Sequence, residues 1–279
     1  MTELLYPSMH EQIERLRARL RELAPVVVAF SGGADSAFLA YVAHDTLGPD
    51  GATAVTAVSP SLAGAELHEC RALAEEWGLT WRTVDTDEME RAAYRVNDGQ
   101  RCYHCKAALM DALVPWAAGG ATVLLGVNLD DLGDHRPGQA AAAEHDAAFP
   151  LVDAGFTKAD VRAASGALGL RTWDKPAAAC LASRLPYGTE VSVSLLTRVE
   201  RAEAALRSLG FVALRVRHYG DTARLELPLD ELEQVLARRA AVVEGVQGAG
   251  YRYVTLDLEG LRSGNLNAAL TTTTSPARP

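Results

Sequence analysis

The chain has no surplus of positive charge. Its 27 Lys and Arg face 36 Asp and Glu, a formal net charge of −9 at pH 7. That balance argues against a protein built to wrap nucleic acid, because neutralising phosphates takes clustered cations. No apolar run approaches the roughly 20 residues of a membrane span, and the opening MTELLYPSMHEQIERLRARL is amphipathic and charged, unlike a signal peptide. Cysteine is scarce, with Cys70, Cys102, Cys105 and Cys180 alone. With no secretory segment, this predicts a cytoplasmic location, reduced thiols and no structural disulfides. Internal repeats are also missing. What is there is an ordinary globular composition, 48% hydrophobic and 23% charged, over 279 residues, long enough for two domains.

Ile13, Leu16, Leu20 and Leu23 recur at helical spacing, which predicts a helix over 8–23, ended by Pro25. Val26–Phe30 reads as a strand buried on both faces. Further short apolar runs at Ala52–Val58, Thr80–Val84 and Ala121–Val127 alternate with helical segments at Ser36–Leu47, Gly64–Trp77 and Tyr103–Ala117. That alternation predicts an α/β domain with a doubly wound, mostly parallel sheet over residues 1–186. Ligands of such sheets bind at the carboxyl ends of the strands, here Ser31–Ser36, Ser59, Asp85 and Gly126–Asp131. After Leu185-Pro186-Tyr187-Gly188 the pattern changes. A helix through Leu195–Leu206, strands at Phe211–Arg217, Ala223–Leu227 and Tyr251–Leu258, and a helix over Asp230–Glu244 predict a small α+β domain at 187–270. Residues 271–279 carry no pattern and read as a disordered tail.

The strand at Val26 runs straight into Ser31-Gly32-Gly33-Ala34-Asp35-Ser36. Two glycines let the backbone turn tightly, and hydroxyls and N–H groups at the following helix start suit phosphate oxygens. The bland alternative is a strand-to-helix turn capped by Asp35 or Ser36. The loop has no P-loop lysine. SGGADS after a buried strand resembles the PP-loop of the ATP pyrophosphatases, which cleave ATP between the α and β phosphates and activate a substrate as its adenylate.

Three further stretches follow, "NDGQRCYHCK" (97–106), "GVNLDDLGDHRPG" (126–138) and "WDKPAAACLASRLPYGTEVS" (173–192), and then "RVERAEAALRSLGF" and "LRVRHYGDTARLE". With SGGADS they resemble, in order and over roughly residues 10–265, the LarE family of ATP-dependent sulfur transferases. The resemblance implies a nucleotide α-hydrolase-like domain with a smaller C-terminal one. It also implies adenylation of a carboxylate on a pyridinium mononucleotide and replacement of the activated oxygen by sulfur. ATP chemistry implies Mg²⁺.

Cys180 stands five residues after Lys175 and four before Arg184. A nearby cation raises thiolate content, so Cys180 is the candidate nucleophile or sulfur carrier, with Arg184 and Asp35 as catalytic partners; a cysteine is otherwise a small hydrophobe. In the sacrificial form of the family the cysteine gives up its sulfur and ends as dehydroalanine. Cys102 and Cys105 form a CxxC pair, open to a metal, a redox role or none. Some LarE-like enzymes hold a [4Fe–4S] cluster on three cysteines, and the resemblance implies such a cluster here on Cys102, Cys105 and Cys180. Asp130, Asp131, Asp134 and His135 read either as a solvated acidic loop or as a Mg²⁺ site, with Asp131 the proposed ligand. Ser31, Gly32, Gly33, Asp35, Ser36, Ser59 and Gly126 are the expected ATP residues. Arg215 and Arg217 share one strand face, and Glu200 and Glu203 one helix face. They read as a surface ion-pair patch or, by the resemblance, as a substrate-phosphate pocket at subunit contacts of a homo-oligomer. The rival readings are a thiolase for tRNA or a small natural product, and a non-catalytic adenine-nucleotide module.

Overall fold

The computed structural model describes residues 8–133, 137–176 and 179–262. Asp134, His135, residues 263–270 and the expected tail at 271–279 lie outside the described residues. Internal contacts divide the chain into two units. The first holds the chain up to Ser59, Gly64–Asp87 and Cys102–Ala178; the second holds Pro60–Ala63, Glu88–Arg101 and the chain from Ala179 onward.

In chain order the elements up to the middle are α1 (Met9–Leu23), β1 (Val26–Ala29), α2 (Ala34–Gly51), β2 (Ala52–Val58), α3 (Gly64–Trp77), β3 (Trp81–Asp85) and α4 (Ala92–Arg95, in the second unit). They continue with α5 (Arg101–Ala118), β4 (Thr122–Leu124), α6 (Pro137–Glu144), α7 (Pro150–Asp153) and α8 (Lys158–Ala167). Ser8 and Glu11 start α1 with a capping box, each side chain accepting from the other's N–H. The sheet order is β3-β2-β1-β4, with every pairing parallel. The valine run of β1 is thereby explained. Val26, Val28 and Phe30 pack with Leu16, Phe38, Phe156 and Val161 on one side, and Val27 packs with Val55, Leu109, Leu113 and Val123 on the other. Burying each such large side chain contributes about 1.5–3 kcal/mol. The doubly wound α/β expectation therefore holds. β4 is shorter than the apolar run at 121–127, because Leu125 N–H turns to the carbonyl of Ala148.

The second unit adds α9 (Val193–Ser208), β5 (Arg215–Tyr219), β6 (Thr222–Glu226), α10 (Leu232–Ala237), α11 (Arg239–Gly248) and β7 (Tyr253–Leu256). β5 and β6 pair antiparallel, β6 and β7 parallel. The hairpin turns on Gly220, at φ +61, a conformation that suits glycine. Val216, Ala223 and Leu225 bury against Leu206, Val242 and Val246. β5 begins later than the expected Phe211, because Phe211 and Leu214 enter the core from the loop before it. The helix expected over Asp230–Glu244 is divided at Arg238, which donates to the carbonyl of Leu209 and lies over the ring of Phe211.

Candidate active site

After β1, Phe30 N–H still donates to the Val55 carbonyl at 2.8 Å. The chain then leaves the sheet through Ser31-Gly32-Gly33, and α2 starts at Ala34 with Gly33 as its N-cap. Gly32 takes φ +68, and a Cβ there would lie 2.9 Å from Cys70 Sγ, so both backbone and space demand glycine. No side chain caps α2, which leaves its first-turn N–H groups and the positive end of its dipole for an anion. Ser31 Oγ and Ser36 Oγ stand 3.0 Å apart. Gly126 presses on the same turn, where a Cβ would meet Ser36 N at 2.8 Å. Ser59 directly follows β2 at its carboxyl end.

Two lysines flank this loop. Lys158, the first residue of α8, ion-pairs with Asp35, whose other oxygen accepts from Asn128 Nδ2 at 3.3 Å. Lys175 Nζ donates to the Gly32 carbonyl at 3.1 Å and to Glu66 at 2.8 Å. Below the loop, burial pushes the Cys70 thiol up to about 11, against the opposing effect of its Thr56 hydrogen bond. Asp130 accepts from Lys158 N–H at 2.8 Å and Asp131 from Asn128 N–H at 3.2 Å, so both carboxylates brace the strap after β4. Cys102 sits on the first turn of α5 and Cys105 at the start of its second, the first exposed and the second half-buried. Burial pushes the adjacent Lys106 ammonium down, and the two thiols act the other way. Among the described residues no three His, Cys, Asp or Glu gather as metal ligands.

In the second unit, Cys180 opens a tight turn through Arg184. Arg184 Nη1 donates to the carbonyls of Ala179 at 2.6 Å and Cys180 at 3.1 Å, while Nε pairs with Glu203 at 2.8 Å. Glu203 also accepts from Val216 N–H at 3.1 Å and from Arg207 at 2.9 Å. Asn97, at φ +57, grips the far end of the same loop, donating to the carbonyls of Pro186 at 2.8 Å and Thr189 at 2.9 Å. Arg101 joins them, donating to Asn97 Oδ1 at 2.6 Å and to the Ala182 carbonyl at 2.9 Å. The NDGQR and CLASRLPYG stretches thus form one hydrogen-bonded body. Arg217 pairs with the buried Glu226 at 2.9 Å and donates to the Ser183 carbonyl at 2.7 Å. Arg215 donates to the Arg262 carbonyl, and burial followed by the repulsion of Arg217 and Arg184 pushes its pKa down.

The family described as NAD synthase matches residues 9–108. An uncharacterized protein of Synechocystis sp. is 45% identical over 94% of this chain and 99% of its own length. An uncharacterized protein of Methanocaldococcus jannaschii is 25% identical over 85% of this chain and 91% of its own. The pyridinium-3,5-bisthiocarboxylic acid mononucleotide synthase of Lactiplantibacillus plantarum is 41% identical, covering 92% of this chain and 94% of that one. The chain belongs to the LarE family. As a LarE-family protein it is an ATP-dependent sulfur transferase.

Within this LarE-family chain, Ser31, Gly32, Gly33, Asp35, Ser36 and Gly126 come together in the first unit, where Gly126 packs against the loop. Arg184, Glu203, Arg215 and Arg217 come together in the second, with Glu200 half-buried one turn before Glu203 on α9. Cys102 and Cys105 belong to the first unit and Cys180 to the second. Sequence reasoning missed Lys158, Asn97 and Glu226, and pointed at the strand end 126–131 without singling out Asn128. One signal for Lys158 was available. Thr157 and Asp160 form a capping box, which puts a cation at the first helical position, against the dipole. A local misfit of that kind marks a second task. Lys175, whose spacing suggested attendance on Cys180, directs its ammonium at Gly32 and Glu66 instead.

Proposed function

We propose that the chain uses ATP to adenylate a carboxylate of a pyridinium mononucleotide and exchanges the activated oxygen for sulfur, as a step in nickel-pincer cofactor synthesis. The observation that carries this reading is the uncapped, glycine-built phosphate loop on a chain 41% identical to the bisthiocarboxylic acid mononucleotide synthase. A substrate carboxylate oxygen attacks the α-phosphorus, the bond to the bridging oxygen breaks, and pyrophosphate leaves with the electron pair. The α2 N–H groups, Ser31 and Ser36 receive that charge. Sulfur then adds to the carbonyl carbon and AMP departs, leaving a thiocarboxylate.

Mg²⁺, when bound with ATP, neutralises phosphate charge, and Asp131 is the residue proposed to hold it. Cys102, Cys105 and Cys180 are the proposed holders of a [4Fe–4S] cluster, which when bound supplies an open iron for a hydrosulfide. The donors fit in kind, since these three thiols reach the surface while Cys70 is fully buried. Arg184 shapes the turn that presents Cys180, through the carbonyls on either side of it. Arg215 is the proposed contact for the substrate phosphate, in a homo-oligomer whose subunits share that site. Among the described residues no helix is long and apolar enough to cross a membrane, and a cytoplasmic setting is proposed.

Anaerobic purification with iron and sulfide analysis tests the sulfur source. The cluster version expects brown protein, bleached by Cys102→Ser or Cys105→Ser, with Cys180 unchanged in mass after repeated turnover on added sulfide. Colourless, iron-free protein that makes one thiocarboxylate and ends with dehydroalanine at position 180 overturns the cluster and leaves adenylation standing.

A further inference from the structure

The phosphate loop carries no cation in its own sequence, yet an ammonium touches its backbone. Lys175 Nζ lies 3.1 Å from the Gly32 carbonyl and 3.8 Å from where a Gly32 Cβ would stand. We propose that Lys175 is a ligand of the pyrophosphate portion of ATP, parked on Gly32 and Glu66 until nucleotide binds. This deepens the adenylation reading and rests on it.

Three observations support the exchange. The backbone leading to Lys175 is fastened along α3, because Arg171 pairs with Glu69 at 2.5 Å and with Glu76 at 2.6 Å. The side chain alone therefore has to move. Its present partners leave room for exchange: one is a neutral carbonyl, and the other is a single carboxylate in a half-buried pair, 18% and 29% exposed. Phosphate oxygens offer a charge-assisted bond in place of the carbonyl. Lys158, the other lysine at the loop, is paired with Asp35. An ammonium on a flexible stem suits a leaving group that must be held during bond breaking and then released.

The test uses the full-length protein, with inorganic pyrophosphate, Mg·ATP and AMP as probes in calorimetry. Lys175→Gln should weaken pyrophosphate and ATP about ten- to a hundredfold and leave AMP, which has no β or γ phosphate, unchanged. Lys175→Arg should restore most of the loss. Glu66→Gln, which breaks the same ion pair from the other side, should leave pyrophosphate binding equal or tighter. If the pair is only a clamp on the loop, Lys175→Gln and Glu66→Gln should weaken binding together; that result, or equal pyrophosphate binding by wild type and Lys175→Gln, overturns the inference. Should Lys175→Gln not fold, weaker pyrophosphate binding by Glu66→Gln decides against it alone. Wild-type protein that binds neither ATP nor pyrophosphate removes the adenylation reading and this inference with it.

Discussion

Arg184 and Glu203 form an ion pair whose side chains are 8% and 0% exposed, with Nε 2.8 Å from Oε1. The pair joins the turn carrying Cys180 to α9, and Glu203 fixes the start of β5 through Val216 N–H. Breaking a buried pair from one side leaves an uncompensated charge. Glu203→Ala should therefore cost about 3–5 kcal/mol in urea unfolding. A loss under about 1 kcal/mol would show that the pair is not buried as described.

Arg215 and Arg217, two residues apart on one strand, should separate in mutagenesis. Arg217 is bound to Glu226 and the Ser183 carbonyl, so Arg217→Ala should lower the melting temperature and take substrate binding down with it. Arg215 donates to the Arg262 carbonyl and is crowded by like charge. Arg215→Ala should leave the melting temperature nearly unchanged and weaken the carboxylated mononucleotide about tenfold or more, the loss of a charge-assisted bond. Similar melting losses for both variants would contradict the division.

Gly126→Ala places a methyl 2.8 Å from Ser36 N, against backbone that cannot move aside without shifting the loop. ATP affinity should fall sharply while the second unit keeps its structure, as seen by nuclear magnetic resonance of its methyl groups. Full ATP affinity in this variant would show that the loop does not depend on that contact.

The Cys70 thiol, raised to about 11 by burial, titrates near about 8.5 in an unfolded chain. A raised pKa gives stability that is full below the unfolded value and lost as pH climbs through the folded one. The protein should lose stability between about pH 8.5 and pH 11, and Cys70→Ala should flatten that part of the profile. Parallel profiles for the two proteins would contradict it.

The sheet was legible because parallel strands buried on both faces must be apolar throughout, as Val26–Val28 are, and the loop after it because its turn needs a glycine at position 32. The second unit was legible in kind but not in register. Val212 and Leu214 continue the alternation of Val216 in sequence, yet both lie in the loop before β5, where Leu214 is buried and Val212 is exposed, so side-chain pattern alone places the strand too early. The lysines at the loop escaped because they reach it from positions 158 and 175, and no local pattern couples them to residue 32 or 35. Asn97 escaped because its work lies in three carbonyl and guanidinium contacts with residues far along the chain or one turn away.

The central claim is that the substrate carboxylate itself attacks ATP, and one isotope measurement addresses it directly. The carboxylated pyridinium mononucleotide, labelled with ¹⁸O in its carboxylates, is turned over with Mg·ATP and a sulfur source, and the nucleotide products are weighed by mass spectrometry. Adenylation predicts AMP carrying one ¹⁸O for each thiocarboxylate formed, with unlabelled pyrophosphate. ADP and phosphate as products, or AMP without label, would contradict it.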